Sequence, residues 1–459
     1  MGMDTRQFFQ ACNPTKTLNI SKPEDRPYYI DFSKVRGSGI IRRLKRSILL
    51  ANKPSCQLFS GYIGCGKSTE LLCLKSELSR EGFHVVYFEA TEDLDTTDVD
   101  ITDILLAIAR RVSESLEKHN IHLQPKGFKK LLQDTAKFLQ TPISLEGEVS
   151  LPGGSSLAVS SEGQFSFSLP MGIAAITAKA KDSPNLRSRM RQYLEPRTSQ
   201  ILAAINNELL RPATKALKQQ GQKGLVVIVD NLDRIDPRMN ESGYLQTEYL
   251  FVQRGGQLSQ LDCHLVYTVP LVLLFSNQSE TLKQRLGGGV DPKVLPMVPV
   301  KQRDGQLDWQ GIALLQQMVL AKAFPGLSDK QRLAQVEHVF DNLETLNYLC
   351  YISGGHVRKL LALLHSCLQY DDPPISRQCI SKVIQEYQDS LLRTIEDIEW
   401  TMIMEVDKRK SLKGEEECQT LLPSMFIFEY QDSKGSWYDV NPALAMTKEF
   451  RIRKKQFNA

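Results

Sequence analysis

Several features are missing from this sequence, and each absence narrows what it does. Its nine cysteines include no C-x-x-C pair, which argues against a zinc ribbon or a dithiol redox motif. Scattered through apolar segments, they read as reduced, buried thiols of a cytoplasmic protein. No apolar run approaches the ~20 residues a bilayer-spanning helix needs, and the N-terminal MGMDTRQFFQACNPTK has no basic-then-apolar leader. Charge of one sign is not in excess either. Lys and Arg total 57 against 53 Asp and Glu, a net of +4, so composition alone demands no nucleic-acid partner, although local basic clusters could meet one. What remains is a globular balance of 41% hydrophobic and 24% charged residues. The 459 residues exceed one ordinary core, so about two or three domains are expected.

The most informative stretch is Leu58–Leu72, LFSGYIGCGKSTELL. Its Gly61-Tyr62-Ile63-Gly64-Cys65-Gly66-Lys67-Ser68 matches the phosphate-binding loop pattern G-x-x-x-x-G-K-[ST] at every fixed position. The flanks fit as well. Cys56–Ser60 is an apolar run suited to a buried strand, and Thr69–Lys75 has helical periodicity. The residue types suit the chemistry. Glycines let successive N–H groups converge on one anion, and the helix that follows adds the positive end of its dipole. Lys67 supplies a mobile charge for the β- and γ-phosphates of ATP. The Ser68 hydroxyl is a hard oxygen ligand for Mg²⁺. Thr69 completes the loop's nucleotide-binding set.

The chain around the loop can be read in order. Residues 1–35, with Pro14, Pro23 and Pro27, form an irregular lead-in. Val35-Arg36-Gly37 stands where many nucleotide-binding ATPases cradle the base. Residues 38–50 make an amphipathic helix with an Ile40, Ile41, Leu44, Ile48 face and a basic face of Arg42, Arg43, Lys45 and Arg46. His84–Glu89 reads as a second buried strand. Ligands bind outside strand C-termini in open α/β sheets, which makes Glu89 a candidate water-polarising carboxylate. The acidic run that follows, Glu92 to Asp100, reads as a solvated loop. Residues 101–118 form an amphipathic helix. Residues 140–180, rich in Gly and Ser, read as an insertion carrying one or two β-hairpins (alternation at Ser144–Ser150 and Gln164–Leu169) or a flexible flap. A long helical stretch, about Asn185–Gln220, leads back to the sheet.

A second strong signal is Gly224–Asp230, GLVVIVD, followed by Asn231-Leu232-Asp233-Arg234-Ile235. An apolar strand ending in Asp, about 160 residues after a complete phosphate loop, is the Walker B arrangement, in which Asp230 holds Mg²⁺ through water. Asp233 either helps position the attacking water or caps the next turn. Thr268, ending the strand at 262–270, either senses the γ-phosphate or only closes the strand. Val294–Val300 reads as the last core strand, despite Pro296 and Pro299. From Asp308 to about Asp372 the pattern is helical and contains SGGHVRKLL, whose Arg358 would point at a nucleotide in the cleft between domains. Another helical stretch, 376–400, precedes a hairpin over Met425–Tyr430 and Trp437–Val440, which together suggest a winged helix. Arg451–Lys455 reads as a basic tail, either solvated or in contact with phosphate backbone.

Taken together, GYIGCGKSTELL, VVIVDNLDRI, Thr268, SGGHVRKLL and the terminal hairpin resemble the AAA+/STAND group of P-loop ATPases, in particular prokaryotic members related to the replication-initiator branch. The resemblance covers roughly residues 30–445 apart from the insertion. It implies a five-stranded parallel core sandwiched by helices, a helical lid and a nucleotide between them. It makes Arg358 a second sensor and Arg285 the finger that reaches a neighbouring subunit. The expected division is a lead-in (1–35), a P-loop core (36–301), a lid (302–374) and a winged-helix-like module with its basic tail (375–459). One departure stands out. Most AAA+ enzymes carry Glu directly after the Walker B Asp, and here it is Asn231. The activating carboxylate would then be Asp233, Glu89 or neither.

These observations lead to the expectation of an ATP- and Mg²⁺-binding, slowly hydrolysing switch that assembles as a homo-oligomer on ATP. It would control a separate effector protein, with a bacterial signalling or defence system as the setting suggested by analogy. The alternative is a DNA-binding initiator or transposition-type ATPase, whose binding would weaken steeply with salt.

Overall fold

Periodicity accounts for most of the architecture. The computed structural model describes residues 3–37, 39–140, 169–181, 183–240 and 243–458. The hairpin strands expected at Ser144–Ser150 and Gln164–Leu169 lie outside these residues, except for Leu169.

The core is a five-stranded sheet of β1 (Cys56–Gly61), β2 (His84–Glu89), β3 (Leu225–Asp230), β4 (His264–Thr268) and β5 (Lys293–Leu295), in the order β2-β3-β4-β1-β5. Every pairing is parallel. Parallel strands are covered on both faces, so they read as continuous apolar runs. The central β3 is buried along its whole length. Register brings the chemistry to one edge. Glu89 pairs with Asp230, and Phe59 with Thr268, so β1 to β4 end together.

Alternate side chains of each strand enter two different cores. Val226, Ile228 and Val266 face Leu44, Ile48, Leu71, Leu74 and Leu78. Val227, Val229, Leu265 and Tyr267 face Ile104, Ile108 and Val112 of the helix Ile101–Lys118. The first core does not stop at the sheet. It runs on through Ile312, Leu349 and Leu364 of a helical region into Ile427, Tyr430 and Trp437 of the C-terminal module.

The helical region comprises Trp309–Ala323, Leu343–Ile352 and Val357–Tyr370. The Asp308 carboxylate accepts the Gly311 N–H at 2.8 Å and caps the first of these. The C-terminal module has helices Arg377–Leu392, Asp397–Arg409 and Gly414–Leu421, then the antiparallel hairpin β6 (Ile427–Asp432) and β7 (Gly435–Val440). The stretch expected as one helix over 376–400 is therefore broken before Asp397.

Other expectations are corrected. The last core strand is three residues rather than seven. Pro296 cannot donate a ladder hydrogen bond, and beyond it the Met297 and Val298 N–H groups are given to Glu429 O (3.0 Å) and Gly355 O (3.2 Å). The acidic run is paired, not solvated. Asp93 binds Arg110 (3.3 Å) and Arg111 (2.6 Å), and Asp98 binds Arg187 (3.0 Å) and Arg191 (2.6 Å). Residues 171–178 belong to a helix, Leu169–Lys181, whose Ile173 and Ile176 are buried in the second core. The stretch 185–220 is broken at Pro196 and by a π-helical turn over Ile205–Leu210. The basic tail is a helix, Lys448–Phe457. Its Arg453 pairs with Glu449 and Asp397 (both 2.8 Å), and its Lys454 with Asp407 (2.6 Å).

Candidate nucleotide site

The phosphate loop joins β1 to the helix Lys67–Arg80. Gly64 has φ +87°, and a Cβ there would stand 2.9 Å from both Arg358 Cβ and His356 Cε1. Only glycine allows both this backbone and that approach. The first turn of the helix presents the N–H groups of Lys67, Ser68 and Thr69, which have no intrahelical acceptor. Arg36, the residue expected at the base, is engaged with the loop. It is buried, donates from Nη2 to Cys65 O (2.8 Å), packs on the Phe32 ring and braces the loop. Tyr62 and Cys65 are buried, and the Tyr62 hydroxyl donates to Ile427 O of β6 at 3.0 Å. Ile63 faces outward, 55% exposed.

Lys67 is held by three oxygen partners of its own site. Its ammonium donates to Gly61 O and Tyr62 O, both at 2.8 Å, and pairs with Asp233 Oδ2 at 3.0 Å. Burial would pull the Lys67 pKa down, but the Asp233 and Asp230 carboxylates outweigh it and hold it above the ordinary lysine value. Asp233 Oδ1 is buried with no hydrogen-bond partner, leaving an acceptor beside Lys67.

Asp230 is fully buried at the end of β3. Its Oδ1 accepts the Asn231 N–H (2.7 Å) and its Oδ2 accepts the Tyr87 hydroxyl (2.9 Å). Burial lifts its pKa, and these donors work against the lift. Asn231 sits at φ +61°, a left-handed turn that asparagine tolerates. Its Nδ2 donates to Glu89 Oε2 at 2.6 Å. Burial first, then the charges of Asp230 and Glu92, raise the Glu89 pKa. Thr268 is a turn bracket, its Oγ1 accepting the Leu232 N–H at 2.9 Å.

The opposite wall of the cleft comes from the helix Val357–Tyr370. The Arg358 N–H donates to Gly64 O (3.2 Å). His356 Nε2 lies 2.9 Å from Ile63 O and so carries the proton, while Nδ1 accepts the Lys359 N–H at 3.0 Å and caps the helix. Burial drives this neutral imidazole down to about 4. Lys16, Thr17, Lys67, Asn231, Asp233 and Arg358 all line the cleft. Burial, then the nearby Arg234 charge, lowers the Arg358 pKa.

Arg285 is not brought here. It is exposed and donates to Val252 O (3.2 Å) and Gln253 Oε1 (3.3 Å). Three contributors escape a reading of the sequence. Tyr87 is indistinguishable there from any buried strand residue. His356 lies inside the SGGHVRKLL motif, but its contact to the loop is long-range. Nothing in Pro14–Thr17 marks it as a cleft wall.

The residues fit ATP and Mg²⁺. The cradle at Gly64 would be filled by any Cβ, the helix start offers N–H groups, and Ser68 and Asp230 are adjacent hard oxygen donors. Among the described residues no group of three His, Cys, Asp or Glu could hold a metal by itself. None of the described helices is long and apolar enough to cross a membrane.

No protein-family model matches the sequence, and no curated protein matches it. Solved structures do match it, among them two over nearly its whole length. One is the Orc1 protein of Aeropyrum pernix in complex with DNA, 13% identical, with 95% of this chain and 98% of that chain covered and a TM-score of 0.37. The other is Cdc6p from Pyrobaculum aerophilum, 10% identical, with 98% of each chain covered and a TM-score of 0.37. At these identities and TM-scores the likeness carries no argument about the fold, which rests on the sheet, the helical region and the C-terminal hairpin described above. At these values the likeness adds nothing about chemistry, which rests on the site itself.

Proposed function

We propose that this chain is an ATP- and Mg²⁺-dependent, slowly hydrolysing conformational switch. Its moving parts would be the core (36–301), the lid (302–374) and the winged-helix-like module (375–459). One observation carries the proposal: the lid touches the phosphate loop through its backbone, with the Arg358 N–H on Gly64 O and the His356 ring on Ile63 O. Any ligand that reshapes the loop therefore acts on the lid directly.

Bound Mg²⁺, held by Ser68 and through water by Asp230, would neutralise phosphate charge. Lys67 exchanges the Gly61 and Tyr62 carbonyls for phosphate oxygens. Arg358 closes from the lid side. We assign the polarising of the attacking water to Glu89, because the Asp233 charge is engaged by Lys67. Asn231 binds Glu89 Oε2, leaving Oε1 for water, and that restraint supports slow turnover. Arg285, exposed as it is, stays the candidate finger toward a second copy, and the output would pass to a separate protein.

The test is ATP binding and turnover by single variants. Lys67→Ala should lose binding. Glu89→Gln should bind ATP and lose turnover by roughly 100-fold, while Asp233→Asn keeps more of it. Unchanged ATP affinity in Lys67→Ala would refute the site, and full activity in Glu89→Gln would refute its role.

A second reading, ATP-dependent DNA binding, has exposed Arg42, Arg43 and Arg46 on one helix and Arg451 and Lys455 on another in its favour, and the Aeropyrum pernix Orc1 was solved with DNA. Against it, the helix preceding the hairpin opens on an acidic first turn, Glu415, Glu416 and Glu417, where contacts to phosphate call for cations. Duplex binding with a steep salt slope would favour it, and none at low salt with ATP present would remove it.

A further inference from the structure

We propose that Tyr87 is a positioning residue for the metal-binding carboxylate of Asp230. The inference rests on the nucleotide-switch reading above. Tyr87 lies on β2, beside β3, and its hydroxyl donates to Asp230 Oδ2 at 2.9 Å. One phenol therefore holds the buried carboxylate that would hold Mg²⁺, from a strand that carries no metal ligand itself.

The placement has a direct consequence for the carboxylate. Asp230 is fully buried, so its rotation is set by donors on the protein and not by bulk water. The Asn231 N–H fixes Oδ1 and the Tyr87 hydroxyl fixes Oδ2. Each oxygen keeps a second lone pair, and the plane of the carboxylate is set by the two donors together. Outer partners of this kind orient the ligands that touch a metal, and their loss typically costs about 10–100-fold in metal affinity.

Phenylalanine keeps the ring and its packing, including Lys75 Nζ 5.9 Å from the ring centroid, and removes only the hydroxyl. The experiment measures binding of a fluorescent ATP analogue to the full chain, in excess EDTA and over a Mg²⁺ titration. Tyr87→Phe should bind the analogue as wild type does in EDTA and need roughly tenfold more Mg²⁺ for half-saturation. In an Asp230→Asn background the same substitution should add no further shift. An unchanged Mg²⁺ requirement would overturn the proposal, as would an equal loss of affinity in EDTA, which marks a merely structural role. Failure of the wild-type chain to bind the analogue at all would instead overturn the nucleotide reading.

Discussion

Replacing Glu429 by Gln should stabilise the C-terminal hairpin in a pH-dependent way. Glu429 lies on β6, its carbonyl accepts the Met297 N–H at 3.0 Å, and its carboxyl group is buried against Ser436 and Tyr438, with Oε2 lacking a partner. Burial pushes its pKa up to about 7 from an ordinary 4.5. A folded-state pKa above the unfolded one means that stability is fully present below about 4.5 and is lost as pH rises through about 7. At about 1.4 kcal/mol per pKa unit, the wild-type chain should lose roughly 2.5 kcal/mol between about pH 5 and 8 through this group. Glutamine keeps the shape and cannot ionise, so the advantage of Glu429→Gln should grow by that amount over the same interval. Urea unfolding followed by tryptophan fluorescence reports it, since Trp437 is buried in the same hairpin. Parallel pH profiles for the two proteins would refute the reasoning. The effect should reach the nucleotide loop, because Ile427, two residues before Glu429, accepts the Tyr62 hydroxyl. ATP-analogue affinity of the wild type should weaken from about pH 6 to 8 and that of the variant should stay flat.

Three further outcomes follow from individual contacts. Gly64→Ala should abolish tight nucleotide binding in an equilibrium assay, because the φ of +87° is strained for alanine and the new Cβ would press on Arg358 and His356 at 2.9 Å. Asp439→Asn should lower stability by about 3 kcal/mol, read as a fall in melting temperature. The carboxylate binds Lys301 (2.6 Å) and Lys410 (2.7 Å), and its loss strands the buried Lys301 charge. Phe9→Ala should speed release of a bound nucleotide analogue by up to roughly tenfold in stopped-flow measurements, for about 1–2 kcal/mol of lost docking. The Phe9 ring packs on His365 with centroids 4.2 Å apart, anchoring to the lid the segment whose Pro14–Thr17 borders the cleft. An unchanged release rate would show that this segment does not hold the cleft closed.

How much was legible varies with the range of the interaction. The strand His84–Glu89 and the helix 101–118 were readable because their pattern of burial is local, and both stand where periodicity put them. The last core strand was misjudged because its later N–H groups find partners in the lid and hairpin, far along the chain. The acidic run looked solvated because its arginine partners lie up to 93 residues away, as Arg191 does from Asp98. Arg36 was near the loop in sequence, but its role as a brace depends on Phe32 and Cys65 packing about it.

By itself the sequence determined the phosphate loop, the strand ending in Asp230 and the helical region that follows, since each follows from steric and periodic demands within a few residues. Only the tertiary structure decided what those parts do to one another. Strand order placed Glu89 beside Asp230, and Asn231, 142 residues further along the chain than Glu89, restrains that glutamate. The same folding set Asp233 on Lys67, Tyr87 on Asp230 and His356 on the loop. The reason is physical. Buried polar groups must find partners wherever the packed chain brings them, and the identity of those partners is a property of neighbouring strands and helices, not of neighbouring residues.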